Sequence, residues 1–184
     1  MRQFLVLATV VSLGCLGLAQ ENASRSGSAG VAEGAAAIRI CPADEPGERI
    51  VFTGRILDFQ GDPISGAAVQ AYNTGRDGLY APRGGKRMPR IRGTALTDAA
   101  GRFRIETVMP GSYPGTAEPA HIHVAVLAPV HHVKFVGYLF EGDRFITEEH
   151  RKEAERGGET VIVKLEPGGD GLRTFHHEIR LVDN

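Results

Sequence analysis

Ala120-His121-Ile122-His123-Val124-Ala125-Val126-Leu127 alternates along its whole length, with His121, His123, Ala125 and Leu127 on one side and Ile122, Val124 and Val126 on the other. A period of two marks a β-strand with one apolar face and one face carrying both histidines. Because side chains two apart on a strand point the same way, one ion can meet both imidazoles.

The composition around this stretch is of the same kind. The chain has 184 residues, 24 of them glycine, and only 7% aromatics, which favours many short strands joined by tight turns. The expected class is all-β, and the length fits one domain with a real core. The formal net charge is −1 and the charges are spread along the chain. No basic stripe is available to neutralise phosphates, so nucleic acid is not an expected partner.

The first residues read differently. Arg2 precedes a nearly unbroken apolar run from Phe4 to Leu18, and Gly17-Leu18-Ala19 presents small residues for cleavage after Ala19. Residues 1–19 are read as a secretory signal peptide, which implies a secreted or periplasmic protein with no membrane association after cleavage. The run is short for a membrane anchor. A lipoprotein reading through Cys15 competes weakly, because the leucine of Ser12-Leu13-Gly14-Cys15 is one position too close to the cysteine. Cleavage would leave Cys41 alone, and no intramolecular disulfide could form. Residues 20–37, rich in Ser, Gly and Ala, are expected to be a flexible linker. The folded domain is then 38–184.

Within it, Ile50 to Leu57 alternates as a strand, Asp58 to Pro63 turns the chain, and Ala67 to Tyr72 reads as the return strand. Asn73 to Arg92 shows no apolar period and is expected to be a long functional loop containing Tyr80. Thr94–Asp98 and Arg102–Met109 are expected to form a hairpin around Ala99-Ala100-Gly101. Val133–Phe140 is a further strand. Thr147–Arg156 is the one convincing helix, with Thr147 as N-cap, Glu148 and Glu149 in the first turn and Gly157 past the end. Thr160–Leu165 and Thr174–Leu181, around Pro167–Gly171, are expected to close the chain as a second hairpin. Seven or eight short strands with turn signals between them predict a single-domain β-sandwich with one short surface helix. No phosphate-cradling glycine loop and no Gly-x-Ser-x-Gly elbow are present.

His121 and His123 offer neutral nitrogens, and Tyr80 and Tyr113 are the loop residues able to add phenolate oxygens. Two phenolates and a hydroxide would balance a trivalent ion, which favours iron(III) over zinc or calcium. The motif alone also fits a solvated pair or a copper or zinc site, and Tyr113 between Gly111 and Pro114 also suits a turn-packing aromatic. His131-His132 and His176-His177 are adjacent pairs whose rings point to opposite faces, which disfavours chelation.

Several motifs in a fixed order sharpen this reading. Gly54-Arg55-Ile56-Leu57-Asp58, Gly61-Asp62-Pro63-Ile64-Ser65-Gly66-Ala67-Ala68-Val69, Gly78-Leu79-Tyr80, Gly101-Arg102-Phe103, Pro110-Gly111-Ser112-Tyr113-Pro114 and Pro119-Ala120-His121-Ile122-His123 follow one another, with Phe140-Glu141-Gly142-Asp143 beyond. This series resembles the intradiol ring-cleavage dioxygenases, the catechol and protocatechuate 3,4-dioxygenase-like enzymes, in their compact form without a long helical N-terminal segment.

The resemblance implies a β-sandwich holding non-haem Fe(III) through Tyr80, Tyr113, His121 and His123. It implies cleavage of a catechol between its hydroxyl-bearing carbons with insertion of both atoms of O2, and it gives Tyr113 and Tyr80 the catalytic roles. Two departures stand out. Glu118 occupies the position of a usual arginine three residues before the first histidine, and Gly137 the position of a usual glutamine. Arg92 or another arginine of the loop is the expected substitute. An iron-binding relative with lost or altered catalysis, and a transthyretin-like β-sandwich binding module without metal, are the competing expectations.

Overall fold

The structure, a computed structural model, describes residues 36–81 and 88–183. The expected signal peptide, and the linker up to residue 35, lie outside the described residues. Among the described residues, ten strands form two five-stranded sheets. The first contains β1 (Ala36–Arg39), β2 (Arg49–Leu57), β5 (Arg102–Val108), β9 (Glu166–Pro167) and β10 (Arg173–Arg180), in the order β1-β5-β2-β10-β9. The second contains β3 (Ala68–Asn73), β4 (Ile91–Leu96), β6 (His121–Leu127), β7 (Lys134–Phe140) and β8 (Thr160–Val163), in the order β4-β3-β6-β7-β8. β1 begins at Ala36, inside the segment expected to be linker.

The sheets face each other across one apolar core, the expected all-β sandwich. Alternation makes it so: Phe52, Ile56, Phe103 and Ile105 project inward from one sheet, and Val69, Ala71, Ile122, Val124 and Val126 from the other. Phe52 is the hub. It stacks on Phe175 at 4.6 Å, meets Phe103 edge-on at 4.7 Å, and touches Tyr138 of the opposite sheet at 4.8 Å. The buried Tyr138 hydroxyl is satisfied by His177 Nδ1 at 2.9 Å, as a buried phenol requires.

Strand partners differ from those expected from local sequence. β2 and β3, read as strand and return strand, lie in different sheets. Thr94–Asp98 and Arg102–Met109 do not form a hairpin: β4 pairs with β3, whereas β5 pairs with β2 and β1. The turn itself is real, with Asp98 Oδ1 accepting the N–H groups of Ala100 and Arg102 and Gly101 at φ 72. The Ile56 N–H donates to Gly101 O at 2.8 Å, so the chain is captured by β2 as it leaves the turn and crosses between sheets. A sandwich corner and a hairpin share the same turn residues, and only the long-range partner separates them. The second expected hairpin is likewise reduced to Glu166–Pro167 against Arg173–Thr174, because β8 pairs with β7 in the other sheet. β4 also starts at Ile91, inside the expected loop, with Ile91 fully buried between two arginines that hid its period.

β7 and β8 are parallel neighbours, which demands a crossover connection. The helix α1 (Glu148–Glu155) lies in it and buries no residue, as expected of a surface helix. Thr147 is its N-cap, and His150 completes a reciprocal capping box that the sequence reading did not identify. Phe52→Ala is expected to lower unfolding stability by about 3–5 kcal/mol, by removing the ring on which both sheets close. Urea titration followed by circular dichroism measures it; a loss under about 1 kcal/mol would remove Phe52 from this role.

Candidate metal centre

The histidine face of β6 looks away from the core. Ile122, Val124 and Val126 are buried in the sandwich, and His121 and His123 are half-buried on the outer side of their sheet. Asp143, from the Phe140–Asp143 segment, accepts the Ala120 N–H at 2.9 Å and the Phe145 N–H at 2.9 Å, so it fixes the start of the strand. His121 Nδ1 lies 2.7 Å from the Pro119 carbonyl, which must accept its proton. That tautomer leaves a lone pair on Nε2.

The two tyrosines arrive on loops from opposite sheets. Tyr80 follows β3 and Tyr113 follows β5, and the loops are laced together by backbone contacts. Gly111 N–H donates to Gly75 O at 2.9 Å, and Thr74 Oγ1 donates to Gly111 O at 2.8 Å. The approach leaves no room for side chains: a Cβ on Gly78 would strike the Ser112 carbonyl, and one on Gly111 the Arg76 carbonyl. Gly78 also has φ 75, a conformation only glycine adopts cheaply.

At their base Asn73, fully buried, donates from Nδ2 to Thr74 O at 2.8 Å and Val108 O at 3.2 Å, and its Oδ1 accepts from Thr107 Oγ1 at 2.9 Å. Arg90 pins the Tyr80 side. It donates to Leu79 O at 2.7 Å and to both oxygens of Glu45, and its N–H donates to Tyr80 O at 2.9 Å.

All four residues expected at the site come together. Tyr80 and Tyr113 hydroxyls are 2.5 Å apart, Tyr113 O and His121 Nε2 3.1 Å, His121 and His123 Nε2 atoms 2.9 Å, and His123 Nε2 and Tyr80 O 3.1 Å. This closed ring has too few protons. Two hydroxyls and at most one Nε2–H on His123 supply three hydrogens for four contacts, so one contact opposes lone pairs. A central cation removes the conflict. With bonds of about 2 Å and angles near 90–110°, its ligand atoms would be roughly 2.8–3.3 Å apart, which matches three of the four contacts, the Tyr80–Tyr113 pair being closer.

Electrostatics agree in part. Burial, with the neighbouring His121 second, pushes His123 down to about 4, so its ring is neutral at ordinary pH. Burial, then the hydrogen bond with Tyr113, pushes the Tyr80 hydroxyl up, so only a strong cation would draw its proton off. Tyr72, which the sequence reading passed over, stacks on His123 at 4.6 Å and 19°.

A cavity of about 350 Å³, in the range of small-molecule sites, opens on His121 and His123. Gly137 pairs directly with His123 across β6 and β7 and leaves that side open. Glu118 lines the same cavity. Arg92 does not take the place of the missing arginine: it pairs across strands with Tyr72, donates to Pro89 O and is not part of the lining.

A family model described as "Dioxygenase" matches residues 27–181. The chain belongs to the intradiol ring-cleavage dioxygenase family. Among its relatives, the protocatechuate 3,4-dioxygenase beta chain of Burkholderia cepacia is 32% identical over 109 residues, covering 53% of this chain and 46% of that one. The chlorocatechol 1,2-dioxygenase of Rhodococcus opacus is 28% identical over 126 residues, covering 58% and 49%. The chain thus spans about half the length of the curated relatives it matches. In fold it is similar to the dioxygenase domain of a carbohydrate-binding fusion from Streptomyces sp. SirexAA-E, with TM-score 0.62, 22% identity, and 79% and 87% of the two chains covered.

Within this member of the family, Gly78→Ala is expected to part the two loops while the sandwich persists. The far-ultraviolet spectrum should stay as in the parent and bound iron should fall at least tenfold by elemental analysis; parent-level iron would show that the close approach is not required.

Proposed function

We propose that this protein is a non-haem iron(III) intradiol dioxygenase that opens a catechol-type ring between its two hydroxyl-bearing carbons. Both atoms of O2 enter a cis,cis-muconate-type product. The observation that carries the reading is the proton-poor ring of two phenol oxygens and two imidazole nitrogens, with all contacts between 2.5 and 3.1 Å. Hard oxygen donors of this kind favour a hard, highly charged cation. Held by Tyr80, Tyr113, His121 and His123, ferric iron would supply Lewis acidity toward the two catechol oxygens.

The chain's own residues do the rest. His121, with its Nδ1–H held by Pro119, keeps Nε2 turned to the centre. Tyr113 holds the proton given up by one substrate hydroxyl. Its oxygen lies 2.5 Å from the Tyr80 oxygen, which keeps further lone pairs when it binds an ion, so a proton placed there has an acceptor beside it. The cavity over His121 and His123 takes the substrate ring, with Phe135 and Leu139 among its apolar walls. The leader-like residues 1–19 support a secreted or periplasmic location with the mature chain starting at Gln20, which N-terminal sequencing tests.

A second reading, an iron-binding relative with altered catalysis, is favoured by Glu118, whose charge opposes negative charge building on the ring. The purified protein is expected to be wine-red from tyrosinate-to-iron charge transfer and to consume one O2 per catechol. Tyr80→Phe should abolish most of the colour. A coloured protein without oxygen uptake leaves the second reading, and a colourless, iron-free protein from iron-replete cells overturns both.

A further inference from the structure

We infer that the cavity selects catechols bearing a cationic amine and turns away those bearing a carboxylate. This rests on the dioxygenase reading and names its substrate class. With the two catechol oxygens directed at the donor ring beside His121 and His123, the rest of the substrate occupies the cavity. Its walls carry Glu118, Glu153 and Glu159. These come from three separate elements: the turn before β6, helix α1, and the return into β8.

No lysine or arginine lines the cavity among the described residues, and none of the three carboxylates is engaged in an ion pair there. The other titratable groups facing it are His121, His123, His150 and Tyr72. Ala125, Phe135 and Leu139 give the aromatic ring an apolar bed, so the ring is held by contact and the substituent by charge. An ammonium group gains from three carboxylates within a partly enclosed space, and a ring carboxylate is repelled by the same three. Glu118 is therefore a specificity-determining residue in this scheme.

The test is anaerobic titration of the iron-loaded protein with catechol, 4-(2-aminoethyl)catechol and 3,4-dihydroxybenzoate, read from the shift of the visible band and from calorimetry. At low ionic strength the amine should bind roughly tenfold more tightly than the carboxylate, with catechol between them. The gap should shrink in about 0.5 M salt. In the triple variant Glu118→Gln, Glu153→Gln, Glu159→Gln the gap between amine and carboxylate should close, with parent-like far-ultraviolet spectrum and bound iron reporting that the variant is folded; the single Glu118→Gln should close part of it. Equal binding of the three compounds, or preference for the carboxylate, overturns the inference and leaves the dioxygenase reading standing. Failure to bind catechol itself overturns the dioxygenase reading and the preference with it.

Discussion

The site depends on how one buried amide is satisfied. Asn73 ends β3 in the sheet that carries the histidines, and its three hydrogen bonds reach Thr107 and Val108 at the end of β5 in the opposite sheet as well as its neighbour Thr74. A buried amide without partners would cost roughly 1–3 kcal/mol, so the two strand ends cannot drift apart without that penalty. Both tyrosine loops leave from these ends. The spacing fixed by Asn73 lets Thr74 and Gly75 bond to Gly111, and that lacing brings Tyr80 against Tyr113.

The donor ring then carries a tension that the fold alone does not relieve. Burial keeps His123 neutral and Tyr80 protonated, which suits an uncharged centre, yet four lone-pair-bearing atoms are held at contact distance with too few protons between them. A trivalent cation inverts this balance by making phenolate the favoured state. An ion that binds the folded chain and not the unfolded one would also stabilise it by mass action. Such an ion would link site and stability through the same four atoms.

Much of this was legible in the sequence, and the reasons are uneven. The β6 alternation gave the histidine face directly, since period two leaves no other arrangement. Tyr80 and Tyr113 could be singled out as loop phenols, but only the motif series tied them to the histidines, because a loop tyrosine carries no periodic signal. Strand partners were not legible: Asp98 and Gly101 announce a turn, but whether β5 returns along β4 or crosses to β2 depends on Ile56. Asn73, Glu45 and Arg90 stayed hidden for the same reason, each acting through a partner more than 30 residues away. Asp143 stood in a recognised segment, but its hold on Ala120 needed the structure.

The division between ligands and cavity wall follows from strand direction. β6 is antiparallel to both β3 and β7, so His123 lies between Tyr72, which stacks on it, and Gly137, which leaves that side open. β8 runs parallel to β7, and the crossover this requires carries α1 to the mouth of the cavity. His150 and Glu153, one helical turn apart, face the same way, and Glu159 follows as the chain descends into β8. α1 buries nothing in the core, so its charges can change at little cost to the fold. The donor ring has no such freedom, being held by Asn73, Asp143 and the paired loops. In this architecture the donor ring belongs to the part of the molecule that packing fixes, and the carboxylate-bearing cavity wall to the part that packing leaves free.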